Sequence, residues 1–286
     1  MKAIIAFSFA ALLALCAGCK KAVGPIDNLL GGQIRVIGHA GVGFESMLSP
    51  FPSNSITTIR RAVEGFNADG IEVDVQVTQD SVPVLLHDQT LESMTNCYGN
   101  VANYTARELE MCHYRTDFNS HVLQDEHIVK LEEILVRYAG SVFDPWIYLD
   151  IKFPKPEYTS QNIEQALIRA VDNLARKYNY VDKLSIASSE INRLLYLRQL
   201  NPDIELVYDH DNFEEALQLT EVHKLNGIVI ANDNVSKEQV TRAHKKGIQV
   251  VIFGVALRKD IVDAVNKHPD VIQTDNVILL QQILSE

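Results

Sequence analysis

The sequence lacks any apolar run long enough to cross a bilayer. Its most hydrophobic stretch, Ala3 to Leu15, falls short of the roughly 20 residues a spanning helix needs. Positive charge is also in deficit: 26 Lys and Arg against 37 Asp and Glu leave a formal net charge of -11. A surface of that sign repels phosphate-rich partners, which argues against nucleic acid or an anionic membrane as the main ligand. Any phosphate chemistry must then rest on a local cationic device. Cysteine is scarce, at four in 286 residues, and no Cys/His spacing of a zinc site occurs. The Gly-x-Ser-x-Gly elbow is absent too, which argues against a serine hydrolase.

What is present begins with the N-terminus. Lys2 precedes the apolar run and Cys16-Ala17-Gly18-Cys19 follows it, so residues 1–18 read as a secretory signal peptide. Leu15 to Cys19 resembles a bacterial lipoprotein box in which Cys19 carries the lipid; plain secretion with cleavage nearby is the alternative. The expectation is an exported, membrane-anchored lipoprotein of the bacterial cell envelope. Residues 19–33, with Gly24-Pro25 and Gly31-Gly32, read as a tether. Export makes Cys97 and Cys112 either a disulfide or two independent buried thiols.

From Ile34 to the C-terminus, residues 34–286, strand-like and helix-like segments alternate, the pattern of a parallel sheet with crossover helices. Strands are expected at Ile34–Gly38, Gly70–Val77, Pro83–Leu86, Trp146–Ile151, Leu184–Ala187, Ile204–Tyr208, Gly227–Ile230, Gln249–Phe253 and Val271–Gln273. Amphipathic runs include Ile56–Phe66, Asn162–Tyr178, Ile191–Leu200, Phe213–His223 and Lys237–Lys246. Only Thr78 to Val82 separates the second strand from the third, too few residues for a parallel crossover, so these two form an antiparallel hairpin. Eight parallel strands remain over about 250 residues, the size of an α/β chain closed as a (β/α)8 TIM barrel. Thr90 to Lys130, with no clear strand, reads as an insertion on the catalytic face.

The chemistry is concentrated at strand ends. In Ile71-Glu72-Val73-Asp74-Val75 the two carboxylates share one face and the apolar residues the other. Two like charges on an inward face are costly unless a cation lies between them, and carboxylate oxygens suit Mg²⁺ or Ca²⁺. A hairpin turn centred on Asp80 and Ser81 sets Asp74 opposite His87, and a slip of a residue or two still returns His87-Asp88 to the barrel mouth as an acid/base group beside the acidic pair. Asp150 and Lys152 alternate in the same way on a later strand, either as a structural ion pair or as a third metal ligand beside a phosphate-facing lysine. His39 closes the first strand at the same mouth.

The order and spacing of Gly38-His39-Ala40-Gly41, Pro52-Ser53-Asn54-Ser55, Ala68 to Val75, Thr78-Gln79-Asp80, His87-Asp88, Asp150-Ile151-Lys152 and Thr274-Asp275 resemble the glycerophosphodiester phosphodiesterase family. The resemblance runs from about residue 34 to the C-terminus. It implies that Glu72, Asp74 and Asp150 hold one divalent cation, that His39 and His87 are the catalytic pair, and that Lys152 and Asn54 bind substrate. The implied reaction cleaves a small-molecule glycerophosphodiester to glycerol phosphate and an alcohol. A sphingomyelinase D type of phospholipase D shares the barrel and the histidines, but Thr78-Gln79-Asp80 and His87-Asp88 match the glycerophosphodiesterases better. A binding lipoprotein with a weakened site is the non-enzymatic alternative.

Two positions depart from the family. Ala40 stands where the family usually has Arg, and Ser53 where it has Glu; Asp150 also replaces the commoner Glu. Loss of the Arg removes a planar phosphate clamp that Lys152 replaces in part. If the missing Arg and Glu face each other, losing both costs far less than losing one, so Ala40 and Ser53 are read as one coupled change.

Overall fold

The computed structural model describes residues 23–44, 51–115, 126–152 and 161–286; the leader segment and Cys19 lie outside the described residues. Nine strands form one sheet: β1 (Arg35–Gly38), β2 (Gly70–Val77), β3 (Pro83–Leu85), β4 (Trp146–Ile151), β5 (Leu184–Ser188), β6 (Glu205–Asp209), β7 (Gly227–Ala231), β8 (Gln249–Val255) and β9 (Val271–Thr274). Strand β1 pairs in parallel with both β9 and β2, which closes eight parallel strands into a barrel, while β3 runs antiparallel to β2. The expected (β/α)8 barrel with a hairpin extension is the fold observed.

Alternation along the strands builds two separate apolar layers. Ile71, Val73, Val75, Ile147, Leu149 and Ile151 point outward and are buried under the helices. Ile37, Tyr148, Ala187, Val207, Val229, Val251 and Val271 point inward and plug the barrel. Each large aliphatic side chain so buried contributes about 1.5–3 kcal/mol, and with both faces covered the strands read as near-continuous apolar runs.

Helix ends follow from local chemistry. Asn212 caps the helix Phe213–His223 by accepting from the backbone of Glu214 and Glu215, and Lys224 ends it in the left-handed region. Ser236 and Gln239 form a capping box on Lys237–His244. The run expected as a single helix over Ile56–Phe66 splits into an α-helix, Ile56–Arg60, and a π-turn, Arg61–Gly65, closed by a 2.9 Å bond from the Phe66 amide to the Arg61 carbonyl.

The hairpin register differs from expectation by one residue: Val75 pairs with Leu85, and the Leu86 amide donates to the Asp74 carbonyl at 3.1 Å. Asp74 therefore faces Leu86 and not His87. Ser81 adopts φ 65°, and the amides of Ser81 and Val82 donate to the Thr78 carbonyl and hydroxyl. That left-handed residue makes a loop of Gln79, Asp80 and Ser81 in place of a two-residue turn.

Pairing also differs along the length of β2. On one edge, its lower part meets β1 at Gly70 and Ile71, and its upper part meets β3 from Val75 to Val77. The insertion begins just beyond β3. It gathers a small core of Val84, Leu86, Leu91, Val101, Leu109, Cys112, Tyr114 and Ile128. Cys97 and Cys112 are joined as a disulfide, and the Ala106 amide donates to Asp80 at 2.9 Å, fastening the insertion to the hairpin turn.

The stretch assigned to a tether is part of the folded unit from Asp27 onward. The Leu29 amide donates to Asp270 at 2.8 Å, and Asn28 donates to the Pro269 carbonyl at 2.8 Å. Asp270 is fully buried and also takes the Val250 amide and His244 Nε2. A buried carboxylate needs such donors, and the 27–33 segment supplies one of them across the N-terminal face of the barrel.

Candidate active site

Beyond β1 the chain turns within Gly38 to Gly41. A Cβ on Gly38 would sit 1.9 Å from the Gly41 carbonyl oxygen, and one on Gly41, at φ 94°, would strike Thr58 at 2.7 Å, so both positions require glycine. The turn puts the Ala40 amide 3.0 Å from Glu72 Oε2. It also presents His39, whose Nδ1 lies 2.7 Å from Asp275 Oδ1 and whose Nε2 faces Glu72 Oε2 at 3.8 Å.

The second histidine is set by the hairpin despite the shifted register. Gln76 on β2 donates through Nε2 to the carbonyls of Leu86 at 2.8 Å and Asp88 at 2.7 Å, holding the chain on either side of His87. His87 Nδ1 meets Asp88 Oδ1 at 2.7 Å. Each imidazole is thus oriented by a carboxylate at Nδ1, leaving Nε2 for chemistry. Phe44 stands edge-on to both rings at 5.1 Å, so the two imidazole centres are no more than about 10 Å apart.

Glu72, Asp74 and Asp150 bring carboxylate oxygens within 4.8 Å of one another. Asp74 and Asp150 are direct partners in the β2–β4 register, which explains their convergence. Lys152 Nζ lies 2.5 Å from Asp150 Oδ2 and 3.4 Å from Asp74 Oδ1. Burial and the neighbouring Asp74 charge push the Glu72 carboxyl up to about 8, and burial raises Asp150 as well. For His39, burial opposes protonation but is outweighed by the Asp275 hydrogen bond and the Glu72 charge, lifting the imidazole to about 9. Three hard oxygen donors crowded within 4.8 Å of one another suit a divalent cation. The Lys152 ammonium already sits against two of them.

These groups line one cavity of about 300 Å³ at the C-terminal mouth of the barrel, together with Phe44, Ala187, Asp209, Val229, Phe253 and Gln273. The structure thus brings together His39, His87, Glu72, Asp74, Asp150 and Lys152. Asn54 is placed differently from its expected role in substrate binding. It is fully buried, donates to Asp74 Oδ2 at 2.8 Å and accepts from the Asp74 amide at 3.0 Å. Its amide orients a carboxylate and has no face left for substrate. Ala40 and Ser53 are both buried, the Asn54 amide donates to the Ala40 carbonyl at 3.0 Å, and Ser53 Oγ has no hydrogen-bond partner among the described residues.

Several residues of the site carried no assigned role in the sequence. Asp275 and Asp88 stand in quoted motifs, but their pairing with the imidazoles is a matter of fold. Asp209 and Phe253 lie two residues beyond the inward Val207 and Val251, so strand periodicity was the available signal. Gln76 continues the inward alternation of Glu72 and Asp74, so the same signal applied to it; for Phe44 no signal existed.

Residues 46–279 match the family model described as the glycerophosphoryl diester phosphodiesterase family. The chain belongs to that family. A glycerophosphodiester phosphodiesterase of Caldanaerobacter subterraneus subsp. tengcongensis is 28% identical over 230 residues, covering 79% of this chain and 89% of that protein. One from Bacillus altitudinis is 27% identical over 238 residues, with the same 79% and 89% coverage. The phosphodiesterase of Oleispira antarctica, solved with the product sn-glycerol-3-phosphate, superimposes with a TM-score of 0.77 at 20% identity, covering 88% of this chain and 97% of that one. As a member of the glycerophosphoryl diester phosphodiesterase family, the protein is a phosphoric diester hydrolase, with the acidic triad a candidate metal centre.

Proposed function

We propose that the protein hydrolyses glycerophosphodiesters to glycerol phosphate and an alcohol, with His39 and His87 as the acid/base pair. The observation that carries this is the convergence of two carboxylate-oriented imidazoles and three carboxylates on one cavity at the barrel mouth. Glu72, Asp74 and Asp150 would hold a divalent cation, Mg²⁺ or Ca²⁺, which neutralises phosphoryl oxygens and favours attack at phosphorus. Lys152 binds a further phosphate oxygen.

The reaction proceeds by proton transfers at Nε2 of the two rings. One imidazole takes the proton of the attacking oxygen, from water or a neighbouring substrate hydroxyl, as the new P–O bond forms; the hydroxyl route gives a cyclic phosphate, which water then opens to glycerol phosphate. The bond to the leaving alcohol breaks, and the other imidazole gives that oxygen a proton. Asp275 and Asp88 hold the rings, and Asp275 also stabilises the protonated form of His39. Cys19 is proposed as the lipidated residue of an exported protein anchored at the bacterial envelope, which mass spectrometry of the mature chain tests.

The test of the activity is turnover of a panel of glycerophosphodiesters with and without chelator, with His39→Ala and His87→Ala as controls. Loss of activity in all three cases is expected. Activity that survives chelation or either substitution refutes the assignment, and release of lysophosphatidate from a lysophospholipid supplied alongside, with the glycerophosphodiesters left uncleaved, assigns the phospholipase D chemistry.

A further inference from the structure

Asp209 has no part in the chemistry above. It ends β6, two residues beyond the inward-facing Val207, and lines the catalytic cavity beside Ala187, Val229 and Phe253. It stands outside the three carboxylates whose oxygens cluster within 4.8 Å. Lys152 is engaged with Asp150 and Asp74; it and His210 act on Asp209 only through longer-range charge, and among the described residues none forms a hydrogen bond or close ion pair with the Asp209 carboxylate. Burial and the nearby Asp150 charge raise its carboxyl only to about 6, so it carries negative charge at neutral pH. A half-buried carboxylate facing a cavity without a partner is costly, and what the substrate brings there decides whether that cost is relieved.

Counting charge selects the ligand. Glu72, Asp74, Asp150 and Asp209 are the four carboxylates lining the cavity. A dication and Lys152 together match three of them, and the protonated His39 that also lines the cavity is matched by its partner Asp275. Asp209 is the charge left over, and a phosphodiester adds another of the same sign. A hydroxyl on the leaving alcohol would satisfy the oxygen lone pairs and leave both charges in place. An ammonium group cancels one of them, and the apolar wall of Ala187 and Val229 with the Phe253 ring suits its methylenes and its cation.

We propose that Asp209 is the specificity-determining residue of a subsite for a cationic leaving alcohol, so that the preferred substrates are zwitterionic phosphodiesters of small amino alcohols. This rests on the phosphodiesterase reading of the same cavity. It makes the cavity selective for substrates of zero net charge over anionic ones such as glycerophosphoglycerol.

The experiment compares glycerophosphoethanolamine with glycerophosphoglycerol on the holoenzyme. The wild type favours the ammonium substrate in kcat/KM. Asp209→Asn lowers the ratio of the two kcat/KM values about tenfold, the scale of one lost charge contact, and Asp209→Glu restores it. An unchanged ratio overturns the subsite, as does a wild-type preference for glycerophosphoglycerol. A second arm reads binding without turnover: calorimetry of both ligands on His39→Ala, with and without Asp209→Asn. Weaker binding of glycerophosphoethanolamine alone, by about tenfold, supports the subsite; equal loss for both ligands overturns it. If the wild type cleaves neither ligand, the proposed reaction fails, and the calorimetric arm still decides the role of Asp209.

Discussion

Nδ1 of His39 lies 2.7 Å from the carboxylate of Asp275, a contact that joins the end of β1 to the residue after β9 across 236 positions of sequence. The two strands are neighbours in the closed barrel, and the His39 amide also bonds to the Thr274 carbonyl at 3.0 Å. Closure of the sheet therefore supplies the group that orients the first histidine.

Substitution Asp275→Asn should keep this geometry and remove the charge. The expected result is a fall in kcat of about a hundredfold or more, within the range for a general acid/base contribution. The His39 imidazole should also titrate below its value of about 9, because its hydrogen-bonding and charged partner is gone. Steady-state kinetics and an NMR titration of His39 read the two effects. An unchanged titration would show that the contact is incidental.

The metal-free protein should lose stability as pH rises. Glu72, held near 8 against an ordinary 4.5, favours its protonated form in the fold, so its penalty grows as pH climbs from about 4.5 to 8. His39, raised from 6.5 to about 9, contributes stability fully present below 6.5 and lost as pH passes 9. The signs agree. Thermal midpoints in chelator should fall between pH 5 and 9, Glu72→Gln should flatten the slope, and Mg²⁺ or Ca²⁺ should raise the midpoint most at high pH by binding the deprotonated triad. A slope unaffected by Glu72→Gln would contradict this account.

Ala40 and Ser53 should behave as a coupled pair. Both are buried on adjoining segments, so Ala40→Arg alone places a cation where Ser53 cannot neutralise it and should cost about 3 kcal/mol. Ala40→Arg with Ser53→Glu should recover most of that loss. Denaturant unfolding of the two single variants and the double variant measures the coupling. Equal stability of Ala40→Arg and the double variant would dismiss it.

The Cys97–Cys112 bond closes a separation of 15 residues, for which the chain-entropy account gives about 3 kcal/mol. Because the insertion has its own small core, replacing both cysteines with serine should loosen that region while leaving the barrel folded. Hydrogen exchange should rise within 90–115 and remain slow in β4 to β9. Equal acceleration throughout would mean that the insertion and the barrel unfold together.

The barrel was legible because its signals repeat. Alternation in Glu72 to Val75 and in Tyr148 to Lys152 assigned the faces of β2 and β4, and the five residues between β2 and β3 allowed only a hairpin. The register slips by one residue, within the range the sequence left open, because a serine, not a glycine, takes the left-handed turn position. Asn54 was misread because its partner, the Asp74 backbone and carboxylate, is reached only when two distant segments pack. The docking of Asp27 to Gly32 depends on the buried Asp270, whose need for donors is invisible in sequence. Gln76 continues the alternation of Glu72 and Asp74, so its face was legible though its carbonyl partners were not; Phe44 acts through a position fixed by tertiary structure, which neither residue type nor spacing could announce.

The divided edge of β2 has a consequence for how such a protein can change. Because β3 takes over where β1 departs, the barrel wall has a seam at its upper rim, with one histidine entering from each side. The described parts of the insertion, 90–115 and 126–130, lie beside that seam, outside the ring of parallel pairings. The length and composition of the insertion are therefore free to diverge, altering what reaches the two imidazoles, without disturbing the closure on which the fold depends.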